Sequence, residues 1–187
     1  MASLFEDKTF NAVKEPLAKG NYEYCTFTNC DLNKTDLSLI NFVECEFTSC
    51  NLSNCSVGNT SFKSVVFNDC KLLGIDFFNC NQFLLQIQVN SSTLDFSSFY
   101  QMDLRKCSFE NSSLNSVDLS NANLEKCTLT ENNFSHAIFN QTNLPQANFS
   151  KSYNFVINPA LNNINQATFD KESILGLLSK YQLNIND

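Results

Sequence analysis

The sequence has few of the residues that usually turn a chain or build a reactive site. Its 187 residues include 4 Gly, 3 Pro, 1 His and no Trp. A sandwich or barrel with many tight turns normally needs more Gly and Pro than this, so the chain must change direction by other means. The sequence contains no Gly-rich phosphate loop, nucleophile elbow or HExxH motif, and we do not expect an enzyme.

Long apolar runs and clustered basic residues are also missing. No stretch approaches the roughly 18 apolar residues of a membrane span. The first eight residues, MASLFEDK, lack the cationic start and apolar run of a signal peptide, so we expect a cytoplasmic protein that does not engage membranes. The chain carries 12 basic and 19 acidic residues, a net charge of −7. Direct nucleic-acid binding needs clustered Lys and Arg, and this balance argues against it.

A large apolar residue occurs at every fifth position in two long runs. The first run is Tyr22, Phe27, Leu32, Leu37, Phe42, Phe47, Leu52, Val57, Phe62, Phe67, Leu72 and Phe77. The second is Leu94, Phe99, Leu104, Phe109, Leu114, Leu119, Leu124, Leu129, Phe134, Phe139, Leu144 and Phe149. Two positions before most of these residues comes a smaller one, and the other three positions are mainly polar. Two residues in five are therefore predicted to point inward.

A period of five matches neither an α-helix, at 3.6, nor a strand, at 2. It fits a chain that turns a corner every five residues, so that four corners close a coil of twenty. Residues twenty apart should then stack at the spacing of hydrogen-bonded strands, about 4.8 Å. The predicted structural core consists of the columns Phe27, Phe47 and Phe67; Leu32, Leu52 and Leu72; Leu104, Leu124 and Leu144; and Cys30, Cys50 and Cys70.

The five-residue register changes once and fades at both ends. Seven residues separate Phe77 from Leu84, the next large residue that we assign to the inward column, so two residues are inserted within 78–83. They form either a bulge that re-aims side chains or a tolerated surface insertion. Residues 1–20 lack the pattern and should cap the first coil, residues 21–169 should form the solenoid, and residues 170–187 should form a helix and tail.

The C-terminal segment is predicted to be a short α-helix, with Asp170 as its N-cap. Its apolar residues exceed what one thin coil end can hide, and soluble monomers usually avoid such a patch. A twofold pairing of this segment would cover the surplus, so we expect a homodimer. The predicted interface residues are Ile174, Leu177, Leu178, Tyr181 and Leu183.

Nine cysteines raise the question of a metal or redox site. All nine fall at the small inward position of the five-residue pattern. Buried free cysteine behaves as a small hydrophobe, so we expect inert core thiols and no metal or cofactor. The single histidine, His136, lies at an outward position and should be a surface residue.

Several stretches resemble the repeat of the pentapeptide-repeat family, whose motif is loosely small, Asp or Asn, Leu or Phe, polar, polar. Examples are Asn121–Leu124, Cys30–Asn33 and Gln146–Ser150, and residues 124–134 resemble a coil of the quinolone-resistance (Qnr-type) members. The resemblance implies an all-β fold, a right-handed quadrilateral parallel β-helix with a short C-terminal α-helix. It also implies an end-to-end dimer. Qnr-type proteins carry a long projecting loop, where this chain has a two-residue insertion.

Two functions agree with these features. The first is a non-catalytic protein-interaction module, whose flat sides present rows of Asn, Ser and Thr to another protein. The alternative is a DNA mimic, an acidic rod that occupies the DNA-binding groove of a type II topoisomerase, DNA gyrase or topoisomerase IV, and affects quinolone susceptibility.

Overall fold

The computed structural model describes residues 3–184, and these form an all-β solenoid of stacked parallel coils. Residues 1, 2 and 185–187, at the ends of the predicted cap and tail, lie outside the described residues. The strands are β1 (Ser3–Glu6), β2 (Thr9–Asn11), β3 (Gly20–Glu23), β4 (Thr26–Thr28), β5 (Asn41–Val43), β6 (Glu46–Thr48), β7 (Ser61–Lys63), β8 (Val65–Asn68), β9 (Ile87–Asn90), β10 (Ser108–Glu110) and β11 (Thr128–Thr130).

These strands form two parallel sheets on neighbouring sides of the shaft. The four-stranded sheet has the order β1-β3-β5-β7, and the seven-stranded sheet has the order β2-β4-β6-β8-β9-β10-β11. In the regular coils each residue pairs with the residue twenty positions later, as Phe27 does with Phe47 and Phe47 with Phe67. The first strands pair at an offset of seventeen, and the Phe5 and Phe10 rings stack on Tyr22 and Phe27.

The corners explain why the chain needs so little glycine. Residues at every fifth position of the regular coils have a φ near +50 to +60°, and almost all of them are not glycine. Lys34, with φ +58°, stands third in a turn in which the Thr35 amide donates to the Leu32 carbonyl. A left-handed residue costs about 1–2 kcal/mol. The cost is offset because its amide bonds to the next coil, as Lys34 N donates to the Ser53 carbonyl at 2.8 Å.

The shaft is filled along its axis by the inward columns. Every residue of the predicted core set is at most 2% exposed. The Phe27 and Phe47 rings stack with centroids 4.4 Å apart, and Phe47 continues onto Phe67 at 5.1 Å. Neighbouring columns meet edge to face, as Phe42 does with Phe47 at 5.3 Å. Such geometry is the one that aromatic pairs favour.

The change of register lies late in the predicted range of 78–83 and extends past it. Asn81 still pairs with Ser61 at an offset of twenty, whereas Ile87 pairs with Val65 at twenty-two. The sequence predicts Leu84 in the inward column, and this prediction is wrong, because Leu84 is 54% exposed with φ +60°. Leu85, Ile87 and Val89 point inward instead. Two extra residues preserve the inward-outward alternation, since a strand alternates with period two.

The predicted C-terminal α-helix is absent from the described residues. The segment instead forms two 3₁₀ turns, Ile174–Leu177 and Ser179–Tyr181. Two features explain the difference. A helix of about ten residues is marginal alone, and Gly176 lies at its centre. The Gly176 carbonyl also accepts a hydrogen bond from the Ile157 amide at 3.1 Å, which holds the segment against the last coil. The Asp170 carboxylate accepts a hydrogen bond from the Lys151 main-chain amide and does not cap a helix.

Gly176 should be the residue most sensitive to substitution in this segment. A Cβ there would lie 2.1 Å from the Phe155 carbonyl oxygen and 2.8 Å from its ring. We expect Gly176→Ala to lower the free energy of unfolding by about 1–3 kcal/mol, the usual effect of overpacking. Thermal unfolding of this variant and of Ser179→Ala, an exposed neighbour, checks it. Equal stability of the two variants would show that the segment does not pack on the coil.

Candidate interaction surfaces

The cysteine and histidine side chains occupy regular positions of the coils and do not form a reactive site within the described residues. Within residues 3–184, no group of three or more His, Cys, Asp or Glu could hold a metal ion. The nine cysteines are free and buried. Burial raises the pKa of Cys107 and of Cys80 to about 12, and that of Cys45 to about 11. These thiols are therefore held in their unreactive, protonated form. His136 is an exposed corner residue with φ +58°.

The repeated aspartates just before the large inward residue stabilise turns. Asp36 and Asp118 each accept the amide hydrogen of the residue two positions later, both at 2.9 Å. This contact is the usual reason for Asp and Asn in turns. Hydrogen bonds from Ser38, and then from Lys19, lower the pKa of Asp36 to about 2. Asp36 therefore stays a carboxylate and is not suited to general acid-base chemistry at neutral pH.

The seven-stranded sheet is the most regular surface of the molecule. Its seven strands span about 29 Å along the shaft at the usual strand spacing. The outward positions carry Thr, Asn, Gln, Ser, Val and Glu, and none of its strands contains Lys or Arg. Hydrogen bonds between coils order these side chains, since Asn90 donates to Asn68 and Asn68 donates to Glu46, both at 2.9 Å.

Acidic residues give this sheet its charge. Glu46 and Glu110 lie within the strands, and Asp69 and Glu131 lie at the adjoining corner. Lys151 pairs with Glu131 at 2.7 Å and neutralises that one carboxylate. The sheet is therefore a flat, ordered, acidic surface with many hydrogen-bonding groups.

The C-terminal end exposes a cluster of apolar side chains. Of the predicted interface residues, Tyr181 is 58%, Leu183 55%, Ile174 43% and Leu178 36% exposed. Leu177 is only 9% exposed and packs in the core of its own chain, so it is not available to a partner. Four of the five predicted residues are thus accessible at this end.

Comparison with known proteins agrees with this architecture. Full-length QnrB1, a plasmid-mediated fluoroquinolone resistance protein, aligns with a TM-score of 0.66 and 17% identity over 97% of this chain and 100% of that one. A trypsin-treated form of QnrB1 aligns with a TM-score of 0.65 and 18% identity over 99% and 98%. At this level of identity the likeness shows a shared fold. A search of curated proteins finds no match.

The described part of the chain contains no helix long and apolar enough to cross a membrane.

The family model for pentapeptide repeats matches this sequence in eight copies, at residues 23–56, 45–81, 92–131 and 133–155. Together these ranges cover more than half of the sequence. Those ranges contain most of the inward columns and corners described above. The chain therefore belongs to the pentapeptide-repeat family.

Proposed function

We propose that this protein is a non-catalytic protein-binding module and that the seven-stranded sheet is its binding surface. The observation that carries the proposal is the order of that sheet: a flat array of polar side chains at fixed spacing, with no Lys or Arg in its strands. Ordered side chains lose little entropy on binding, which favours recognition of a partner. The proposal places the protein in the cytoplasm, where its nine free thiols stay reduced.

Photo-crosslinking in a bacterial host tests this proposal. A photoreactive amino acid replaces Gln88, an exposed residue of strand β9, or Asn140, an exposed residue two sides away around the shaft. We expect Gln88 to yield a discrete crosslinked protein band that Asn140 does not give. Equal crosslinking from both positions, or none from either, would contradict binding through the sheet.

A DNA mimic is the more specific candidate, with DNA gyrase or topoisomerase IV as the partner. It is favoured by the acidic sheet and by the full-length similarity to QnrB1, a protein of fluoroquinolone resistance. An acidic rod could occupy the groove where a topoisomerase holds a DNA segment. The insertion in this chain is only two residues long, so such binding would rely on the shaft itself.

A supercoiling assay with purified gyrase, with and without a quinolone, tests the DNA-mimic candidate. We expect the protein to lower supercoiling or to relieve quinolone inhibition, and we expect the variant Glu46→Lys, Glu110→Lys to lose this effect. No effect at a large molar excess would rule out gyrase as the partner. The protein-binding proposal would then rest on the crosslinking result.

We also propose that the protein is a homodimer that pairs through its C-terminal end. The exposed side chains of Ile174, Leu178, Tyr181 and Leu183 form the apolar surface that a second copy would cover.

We further propose that the solenoid is right-handed, because connections between parallel strands almost always are. A crystal structure would show the handedness.

Light scattering at micromolar concentration checks the dimer. We expect a mass of twice 21.1 kDa for the intact chain. The variant Tyr181→Ser, Leu183→Ser removes the two most exposed apolar groups of this cluster and should give the monomer mass. A monomeric mass for the intact chain would rule the dimer out.

A further inference from the structure

Two successive coils are not hydrogen-bonded to each other on one side of the shaft. The lower coil contributes residues 80–86 and the upper coil contributes residues 102–106. Main-chain hydrogen bonds join each of these two coils to its other neighbour, as Leu104 N donates to the Asn123 carbonyl and Asn81 N donates to the Thr60 carbonyl. Within residues 3–184, no main-chain hydrogen bond joins 80–86 to 102–106. We call this break the inter-coil gap.

The inter-coil gap leaves particular backbone groups without their usual partners. In the regular coils the large inward residue and the corner residue both donate to the coil above, as Leu32 and Lys34 do to Asn51 and Ser53. Their counterparts below the gap, Gln82 and Leu84, donate to no main-chain carbonyl in the described chain, and neither does Asp103 above it. The gap therefore presents unpaired main-chain amides at two open coil edges, and such groups can pair with another chain as those of an edge strand do.

The two-residue insertion causes the gap. Leu85 N donates to the Gln82 carbonyl, so Gln82 occupies the turn position that a large apolar residue holds in other coils. Gln82 is exposed, whereas Phe62 in the coil below and Leu104 in the coil above are buried. The inward column on this side of the shaft is therefore interrupted between Phe62 and Leu104.

Apolar, polar and charged side chains line the resulting cavity of about 400 Å³. They are Gln82, Leu84, Leu85, Asp103, Arg105 and Lys106. Next to it, Phe83 is 68% exposed, and the Lys63 ammonium lies 5.7 Å from its ring centroid. The opening thus combines exposed apolar surface with cationic groups, on a protein whose net charge is −7.

Some of the cationic side chains near the cavity are paired with carboxylates, and others are not. Arg105 is bound by Asp103 through two hydrogen bonds of 2.9 and 2.6 Å, and Lys126 lies 3.7 Å from Glu125. Within the described residues, Lys63 and Lys106 make no ion pair with a carboxylate. Two unpaired lysines beside a partly apolar cavity complement a ligand that is both acidic and apolar.

We propose that the inter-coil gap binds an extended acidic peptide segment of a partner protein. The peptide backbone would pair with the open edges at Gln82, Leu84 and Asp103, the mode known as β-augmentation. Because side chains of a strand alternate, one face of the peptide would place an apolar residue on Leu84 and Leu85. The carboxylates on its other positions would lie near Lys63 and Lys106. This surface is separate from the seven-stranded sheet on which the proposed function rests.

Fluorescence anisotropy with a labelled peptide tests the proposal. The probe is the synthetic peptide Glu-Val-Glu-Leu-Glu-Val-Glu, and two control peptides replace every Glu by Lys or methylate alternate backbone amides. We expect the probe to bind the full-length protein and neither control to bind. Equal binding of the methylated peptide would overturn backbone pairing, and absence of binding by the probe would overturn the proposal.

Two protein variants keep the test decisive. Lys63→Glu with Lys106→Glu should weaken binding of the probe by about tenfold or more, because both unpaired cations become anions. Lys14→Glu with Lys171→Glu makes the same charge change far from the gap and should leave the affinity within about twofold. Equal losses from the two pairs would mean that net charge alone, and not the gap, attracts the probe.

A third variant closes the gap. Deleting Leu85 and Gln86 and introducing Gln82→Leu restores the twenty-residue coil, with Ile87 at the small inward position. We expect this variant to lose probe binding. Retention of wild-type affinity in the closed protein would contradict the proposal, and if that protein does not fold, the lysine variants still decide it.

Discussion

The variant Phe47→Ala should lose about 3–5 kcal/mol of its free energy of unfolding, the usual cost of removing a buried ring. The Phe47 side chain is fully buried and stacks on both Phe27 and Phe67, with Phe42 against its edge. The coils above and below are bonded through their backbones, so they cannot collapse into the cavity that the substitution leaves. Denaturant unfolding of the purified variant measures the loss.

Gln88→Ala is the matched control for this variant. Gln88 lies on the outward side of strand β9 in the same sheet, is exposed, and makes no side-chain hydrogen bond within the described residues. Its replacement should change stability by no more than about 0.5 kcal/mol. Asn54→Ala is a poorer control, because Asn54 has φ +56° and alanine is strained there. Equal losses for Phe47→Ala and Gln88→Ala would refute the inward and outward assignment.

The nine thiols should react far more slowly in the native protein than in the unfolded one, because all nine are buried. A hydrogen bond from Cys50 lowers the pKa of Cys70, so burial alone would protect that thiol. Only the thiolate is nucleophilic, and burial raises the pKa of Cys107 from 9.0 to about 12. This pKa lowers the thiolate fraction of Cys107 at pH 8 about 1000-fold relative to an ordinary thiol, before any steric protection. Reaction with Ellman's reagent, followed before and after denaturation, measures this. Rapid native-state labelling, or stoichiometric zinc in the purified protein, would contradict inert core thiols.

The same pKa shifts make the fold sensitive to alkali. The folded state favours the neutral thiol of Cys80 and of Cys107, so their contribution to stability is fully present below pH 9. It is lost as the pH rises from 9 towards 12, because the unfolded chain ionises first. The melting temperature should therefore fall over this range, and Cys107→Ala should reduce the fall. A melting temperature that is constant from pH 8 to pH 11 would contradict these shifts.

The inward columns could be read from the sequence because their period is unusual. A large residue at every fifth position, with a small residue two positions before it, allows one arrangement in which both are buried, and the core columns from Phe27 to Leu144 follow from it. The coils can form with little glycine because main-chain hydrogen bonds between coils hold corner residues such as Lys34 in the left-handed conformation.

The inter-coil gap could not be placed from the pattern alone. Leu84 is apolar and lies five residues before Val89, so it fits the second register, yet it is exposed. Its neighbour Leu85 is equally apolar and is buried. One residue does indicate the irregularity: Gln82 is polar, although it lies five positions after Phe77, where the pattern expects a large inward residue. Which coil edges then lose their hydrogen bonds depends on backbone geometry that no single residue reports.

The conformation of the C-terminal segment could not be predicted for a different reason. Ile174, Leu177, Leu178 and Tyr181 have helical spacing, but that spacing also fits successive 3₁₀ turns over so short a stretch. Contact with Phe155 and Ile157 decides between them, because the backbone of Gly176 lies against the last coil. Tertiary contact here overrides the local pattern, as it often does in short segments.

The most direct test of the central claim, that the acidic sheet is the binding surface, uses the partner identified by crosslinking from Gln88. Its affinity is measured by titration for the wild-type protein and for the variant Glu46→Lys, Glu110→Lys, with the melting temperatures compared to ensure that both are folded. We expect the variant to bind at least about tenfold more weakly, because two rows of the sheet reverse their charge. An unchanged affinity in the folded variant would contradict the claim.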